Sequence, residues 1–363
     1  MIPRTMKAVL LKGHGGLEQL EYRDDVPVPT PAAGEVLVQV GAAAINNTDI
    51  NTRIGWYSKS VTTATDAASA QTANPANPAN PATDGGWAGN PFVFPRIQGT
   101  DVCGRIVAVG AGVAAARIGQ RVIVDPVLRP ADGSLQGVGY VGLERDGGFA
   151  EFVTVPANNA SLVESALTDV ELASFPCAYG TAENLLTRVD VAQGETVLVT
   201  GASGGVGSAV VQLARLRGAR VIAVTTRDKA RDVVALGAQQ TVERGANLVH
   251  ALGRESVDVV VDVVGGAAFA DLLEVLKRGG RYAVAGAIAG PVVPLDLRTL
   301  YLKDLRLLGC TVTTPAVFAR LVDLIQQGAL QAVIRGVYPL ADIAVAQSDF
   351  LGKAQTGKIV LVP

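Results

Sequence analysis

The chain has 363 residues, 49% hydrophobic and 18% charged, an ordinary balance for a soluble globular protein. That length exceeds the roughly 100–200 residues of one typical domain and predicts two. A net charge of −2 supplies no basic stripe, which argues against nucleic acid as a partner.

Asp258, Asp262 and a glycine cluster interrupt the two most apolar stretches, so neither offers about 20 unbroken apolar residues to a bilayer. The N-terminal apolar run is too short for a signal peptide. Cys103, Cys177 and Cys310 are scattered and odd in number. They read as reduced thiols, so the expectation is a cytoplasmic protein with neither disulfides nor a membrane segment.

In chain order, residues 1–57 alternate β-like runs such as KAVLLKGHGG and GEVLVQVGAAAI with glycine and proline turns. No helical pattern separates them, which predicts a twisted antiparallel or barrel-like unit. A polar interruption follows from Ser58 to Pro91, with the tandem NPANPANPA at Asn74–Ala82. Repeated Asn-Pro blocks helix and removes sheet donors, so this is loop: a solvated insertion or, alternatively, a substrate lid. Strand-like runs resume at GRIVAVGAGV, QRVIVDPVL and GFAEFVTVPA.

From about Leu167 the rhythm changes. DVELASFPCAYGTAENLLTRV has helical spacing, and then TVLVTGA, RVIAVTT, DVVVDVV and RYAVAGA alternate with GSAVVQLARLRG, DKARDVVALGA and FADLLEVLKRGG. Val-rich strands between amphipathic helices predict an α/β fold with a parallel sheet covered on both faces. LRLLGCTV, the helical PAVFARLVDLIQQG and a β tail, GKIVLVP, complete the chain.

Gly204, Gly205 and Gly207, with Ser203 and Val206 among them, lie between a strand and a helix start. Unpaired N–H groups and the positive dipole end of a helix suit a pyrophosphate, and side chains there would obstruct it. The repeating β/α context makes this a dinucleotide site. The next strand ends in Thr225, Thr226 and Arg227, with Lys229 beyond, where an NAD site carries Asp or Glu for the ribose 2′-hydroxyl. Two hydroxyls and two cations favour the 2′-phosphate of NADPH; ordinary surface charge is the plainer alternative. Val264, ahead of Gly265-Gly266, and Gly286 close later strands on the ligand-bearing edge, where a simple turn is the alternative.

The chain outside Ser58–Pro91 resembles the medium-chain dehydrogenase/reductase superfamily. The matching segments, in order, are the N-terminal strands, NNTDINTRIGWY, QGTDVCGRIVAVG, DGGFAEFVTVPA, FPCAYGTA, VTGASGGVG and GKIVL. The resemblance implies a GroES-like β-barrel catalytic domain from residues 1–155 and 328–363. It implies a Rossmann doubly wound NADP-binding domain from 156–327, and a homodimer or homotetramer. Zinc-dependent members look like C-x-T-D and G-H-E where this chain has Asn46-Asn47-Thr48-Asp49 and Gly99-Thr100-Asp101. Cys177 stands at the third ligand position, but one soft ligand cannot hold zinc, and the four-cysteine lobe of those relatives has no counterpart. His14 and His250 lie away from these segments, so no metal is expected.

Without zinc, a localised alkoxide is hard to stabilise, whereas a quinone or α,β-unsaturated carbonyl spreads the charge delivered with hydride. The resemblance is to the zinc-independent quinone oxidoreductase and enoyl reductase branches. In enoyl-thioester reductases a similar segment, N-P-S-D-x-N-x-x-x-G-x-Y, ends in a tyrosine proposed as proton donor. Asn46, Asp49, Asn51, Gly55 and Tyr57 fall at that spacing. Tyr57 is therefore the candidate acid, with packing at the cleft edge as its alternative role. Asn46 is expected to bond the substrate carbonyl or cofactor ribose, Thr48 to relay a proton, and Thr181 to touch the nicotinamide. The expected activity is NADPH-dependent reduction of a small quinone or activated alkene. A zinc-type alcohol dehydrogenase and a non-catalytic NADPH-binding protein are the alternatives.

Overall fold

The computed structural model describes residues 1–65, 86–87, 91–354 and 356–363. The Asn-Pro repeat at 74–82 lies outside them.

Strand Glu35–Ala44 organises the first half. Its alternating apolar positions are buried, and it pairs antiparallel with Cys103–Val109 and with Phe152–Pro156. Close backbone approach fixes Gly104, where a Cβ would lie 2.0 Å from the Gln39 carbonyl oxygen. The last strand, Lys358–Val362, returns from the far end of the chain and pairs antiparallel with Ala43 and Ala44. It also pairs parallel with Ile334–Pro339, so one seven-stranded sheet joins both chain ends. A three-stranded sheet built on Thr5–Leu11 completes the barrel-like unit.

The helical pattern near Leu167 breaks into two helices, Asp169–Ala173 and Pro176–Arg188. Thr168 and Glu171 cap the first reciprocally, and Pro176 opens the second, where its missing N–H has no helical partner to lose. The second half is a parallel sheet in the order Gln240–Glu243, Arg220–Thr225, Thr196–Val199, Val257–Asp262, Leu276–Val284, Arg306–Gly309. The order reverses on either side of Thr196–Val199, and ligands bind such sheets in the crevice at that switch point. Helix Gly205–Leu216 leaves this strand through the glycine turn. A Cβ on Gly207 would lie 2.1 Å from the Gly201 carbonyl oxygen, so only glycine lets the helix close on the turn.

Two elements differ from the sequence pattern. The helix expected through Gly280 stops at Val275, and Leu276–Val284 is strand. The Lys303 ammonium caps the carbonyls of Leu273 and Glu274 at 2.8 and 3.1 Å, satisfying the helix end there. Strand Gln240–Glu243 has a single apolar residue, Val242, and so carried no periodic signal.

Among the described residues no helix is long and apolar enough to cross a membrane. Leu297, Tyr301, Leu302 and Leu307 are exposed around the edge strand Arg306–Gly309.

Candidate active site

Helix Asn47–Arg53 begins where Glu35–Ala44 leaves the barrel. The Asp49 carboxylate accepts from the Asn46 backbone N–H at 2.8 Å, and Arg53, buried beneath the helix, donates to Gln347 and to the Gly15 carbonyl. These bonds make the short helix a fixed platform for Asn46, Thr48 and Asn51.

Asn46 lines the smaller of two cavities, and its amide is also bonded within the protein. Its Nδ2 donates to Asp101 Oδ2 at 2.9 Å, and its Oδ1 accepts from the Lys358 ammonium at 2.5 Å. Lys358 Nζ also donates to Asp101 Oδ2 at 2.8 Å and to the Ile45 carbonyl at 3.0 Å. Asp101 Oδ1 accepts from the Cys177 backbone N–H at 2.6 Å, which pins the start of Pro176–Arg188. The residues at the three ligand positions do not fit zinc. Asn46 is engaged by an ammonium, Thr100 is a neutral hydroxyl, and the Cys177 thiol is pushed well up, first by burial and then by the Asp101 charge. No group of three or more His, Cys, Asp or Glu suited to a metal occurs among the described residues.

Above this knot lies a cavity of about 210 Å³ lined by Thr48, Tyr57, Tyr140, Cys177, Thr181 and Lys358. An apolar cavity of about 150 Å³ accommodates benzene, so this one suits a single ring or a short acyl group. Tyr57 donates to Thr48 Oγ1 at 2.9 Å. Burial pushes the phenol up to about 12, against the hydrogen bonds from Thr48 and Asn51, so its proton is present across the physiological range. The described ends of the insertion reach this cavity. Thr65 donates from its backbone N–H to the Ile288 carbonyl and from its hydroxyl to Asn51 Oδ1, and the Trp87 ring lies 4.4 Å from that of Tyr140.

A second cavity, about 540 Å³, meets the first at Asn47, Gly205, Ile288 and Phe350. Ser203, Gly204, Gly205, Thr225, Thr226, Lys229 and Val264 line it. Val206 and Gly286 line the smaller cavity, while Gly207 stands behind both as a packing residue. The Thr225 hydroxyl and Asn47 Oδ1 are buried with no partner among the described residues, polar atoms that a bound ligand would satisfy. The loop at Val264 is held by Asp262, whose carboxylate accepts from Thr200, Tyr282 and the N–H groups of Val264 and Gly265. The residues therefore fit a dinucleotide. The Arg227 side chain is 92% exposed, faces Glu243 at 3.7 Å and is not among the residues that line the cavity. Arg244, one strand further on, lines it with Lys229 and Arg335. The short strand ending at Glu243 gave no sign of this, and a lysine opening an apolar strand was the one available signal for Lys358.

Asp49 generates a pH prediction. Burial, helped by the Asp101 charge and opposed by Lys358 and two backbone N–H groups, raises its carboxyl to about 7. The unfolded value is about 3.9, so between about pH 4 and 7 the folded state binds the extra proton. Stability then falls as pH rises through that window. Asp49→Asn should flatten this part of the stability–pH curve from denaturant unfolding; an unchanged slope would contradict the assignment.

Comparison with known proteins agrees with the geometry. Residues 32–165 match the alcohol dehydrogenase GroES-like domain, and residues 205–327 match the zinc-binding dehydrogenase family. The chain is 31% identical to an acryloyl-coenzyme A reductase of Metallosphaera sedula, covering 98% of this chain and 99% of the relative. It is 26% identical to the human quinone oxidoreductase, covering 99% and 98%. A solved Sinorhizobium meliloti 1021 structure assigned to the alcohol dehydrogenases is 50% identical, with a TM-score of 0.88 over 100% of this chain and 98% of that one. With a GroES-like half, a parallel-sheet half and relatives matched end to end, the chain belongs to the medium-chain dehydrogenase/reductase superfamily.

Proposed function

We propose that this protein is a zinc-independent, NADPH-dependent reductase of a quinone or an α,β-unsaturated carbonyl. The observation that carries the reading is the pairing of Tyr57 with Thr48 in a cavity where Asn46, at the first ligand position, is bonded to the Lys358–Asp101 ion pair. NADPH, when bound, supplies the hydride. The chain's own residues hold the ligands and manage the proton. Hydride at the conjugated carbon moves the electron pair onto the carbonyl, and hydrogen bonds support the delocalised charge. Tyr57 keeps a proton next to Thr48, whose hydroxyl accepts it in one orientation and donates it in another. Names of the relatives, an acryloyl-coenzyme A reductase and a quinone oxidoreductase, support both substrate classes.

The test uses protein dialysed against a chelator. Tyr57→Phe should lower turnover of an enone or enoyl thioester by about 10²–10⁴-fold, the usual worth of a general acid. Quinone reduction should fall much less, because a hydroquinone anion can take protons from water. Near-wild-type enone turnover would return Tyr57 to packing, and complete loss of wild-type activity on metal removal would sink the zinc-independent reading.

For the cofactor, the reading is that Thr225, Thr226, Lys229 and Arg244 hold the 2′-phosphate, supported by their common cavity. Charge-assisted contacts contribute about 1.5–3 kcal/mol, so Arg244→Ala should weaken NADPH about 10- to 100-fold and NADH little. Arg227→Ala, at an exposed position, should do far less. Equal losses for both cofactors in titrations would argue against NADPH preference.

The apolar side chains around Arg306–Gly309 support a homodimer formed through that sheet edge, since exposed edges are covered or paired. Light scattering should find at least a dimer at micromolar concentration; a monomer would refute it. Cys103, Cys177 and Cys310 are all free, which suits a reducing cytoplasm.

A further inference from the structure

The ion pair beneath the cavity joins four segments distant in sequence. Lys358 opens the last strand, Asp101 follows the strand Arg96–Ile97, Asn46 caps the Thr48 helix, and Cys177 starts the Thr181 helix. An ammonium has three N–H donors, and Lys358 gives them to three acceptors: Asn46 Oδ1, Asp101 Oδ2 and the Ile45 carbonyl. Its stem reaches those acceptors across the cofactor turn, where a Cβ on Gly205 would lie 2.8 Å from Lys358 Cδ. The preceding Gly357 N–H donates to the Ser203 carbonyl at 3.1 Å. Lys358 thus touches the glycine turn with its methylenes and the Asn46–Thr48 turn with its charge.

Stability alone does not call for this arrangement. Lys358 is 4% exposed and Asp101 is fully buried, and such pairs can often be exchanged for neutral residues of similar volume at no cost. We propose that Lys358 is a positioning residue, whose ammonium and methylenes together hold the Asn46–Thr48 turn in register with the glycine turn. Its three donors are all used, which keeps it from binding substrate. The proposal rests on the zinc-independent reading of the site.

The test is the charge-neutral double variant Lys358→Met, Asp101→Asn, which keeps the stem on Gly205 and removes both charges. Thermal unfolding, NADPH titration and enone kinetics are measured beside chelator-dialysed wild-type protein. The expected result is a folded variant with NADPH affinity and enone KM within about threefold of wild type and kcat reduced tenfold or more. A kcat loss below threefold would make the pair a mere counterion arrangement and overturn the proposal. If the double variant does not fold, Asp101→Asn alone decides, since it retains the ammonium and its bonds to Asn46 and Ile45. Activity within threefold supports Lys358 as the positioning group, and a tenfold loss overturns it. Wild-type protein inactive without metal would instead defeat the zinc-independent reading, an outcome separate from either result on the variants.

Discussion

The molecule depends on one buried charge. The Lys358 ammonium is taken out of water and balanced by Asp101 at 2.8 Å, with Asn46 and the Ile45 carbonyl meeting its remaining donors. A buried cation without such partners would cost several kcal/mol, so the strand that carries it has one acceptable position. That position brings the end of the chain back against its first half and closes the barrel sheet on Ala43 and Ala44. The same carboxylate fixes the Cys177 N–H, and the helix behind it carries Thr181 to the cavity wall.

The two cavities divide the work physically. The larger is lined by cations at Lys229, Arg244 and Arg335 and by the Thr225 hydroxyl and Asn47 amide oxygen, unpartnered among the described residues, a surface that a ligand with both anionic and hydroxyl groups would complete. The smaller has aromatic walls at Trp56, Tyr57, Trp87 and Tyr140, with the hydroxyl-bearing Thr48, Thr181 and Thr311 among them. The two cavities meet at Asn47 and Gly205. Asp262 serves this junction from behind. Its four donors hold the loop at Val264 in one shape, and a carboxylate so satisfied needs no cation.

Much of the architecture was legible in order and period. Val-rich runs such as VDVVVD, alternating with helices and interrupted by the Gly204–Gly207 turn, have few foldings other than a parallel sheet with a ligand at its switch point. The spacing from Asn46 to Tyr57 put the hydroxyl pair on one short helix and its following turn, because neighbours along a helix keep their geometry. The helix end at Val275 was not legible, because the lysine that caps it, Lys303, is nearly 30 residues away in the chain.

Sequence by itself determined which chemistries were at hand: a phenol and a threonine at fixed spacing, a glycine turn, and three ligand positions with a single soft donor, Cys177. Local bonding rules and short-range periodicity decide those features, and they survive in a linear reading. Only the tertiary structure decided which charges meet. Arg227, adjacent to the predicted site, turns outward to Glu243, while Arg244, from the next strand, faces the cavity. Asn46, expected to face a ligand, is bound to a lysine 312 residues away. Electrostatic pairing in a protein interior depends on distance through space and on exclusion of water, and neither is written in the order of the residues.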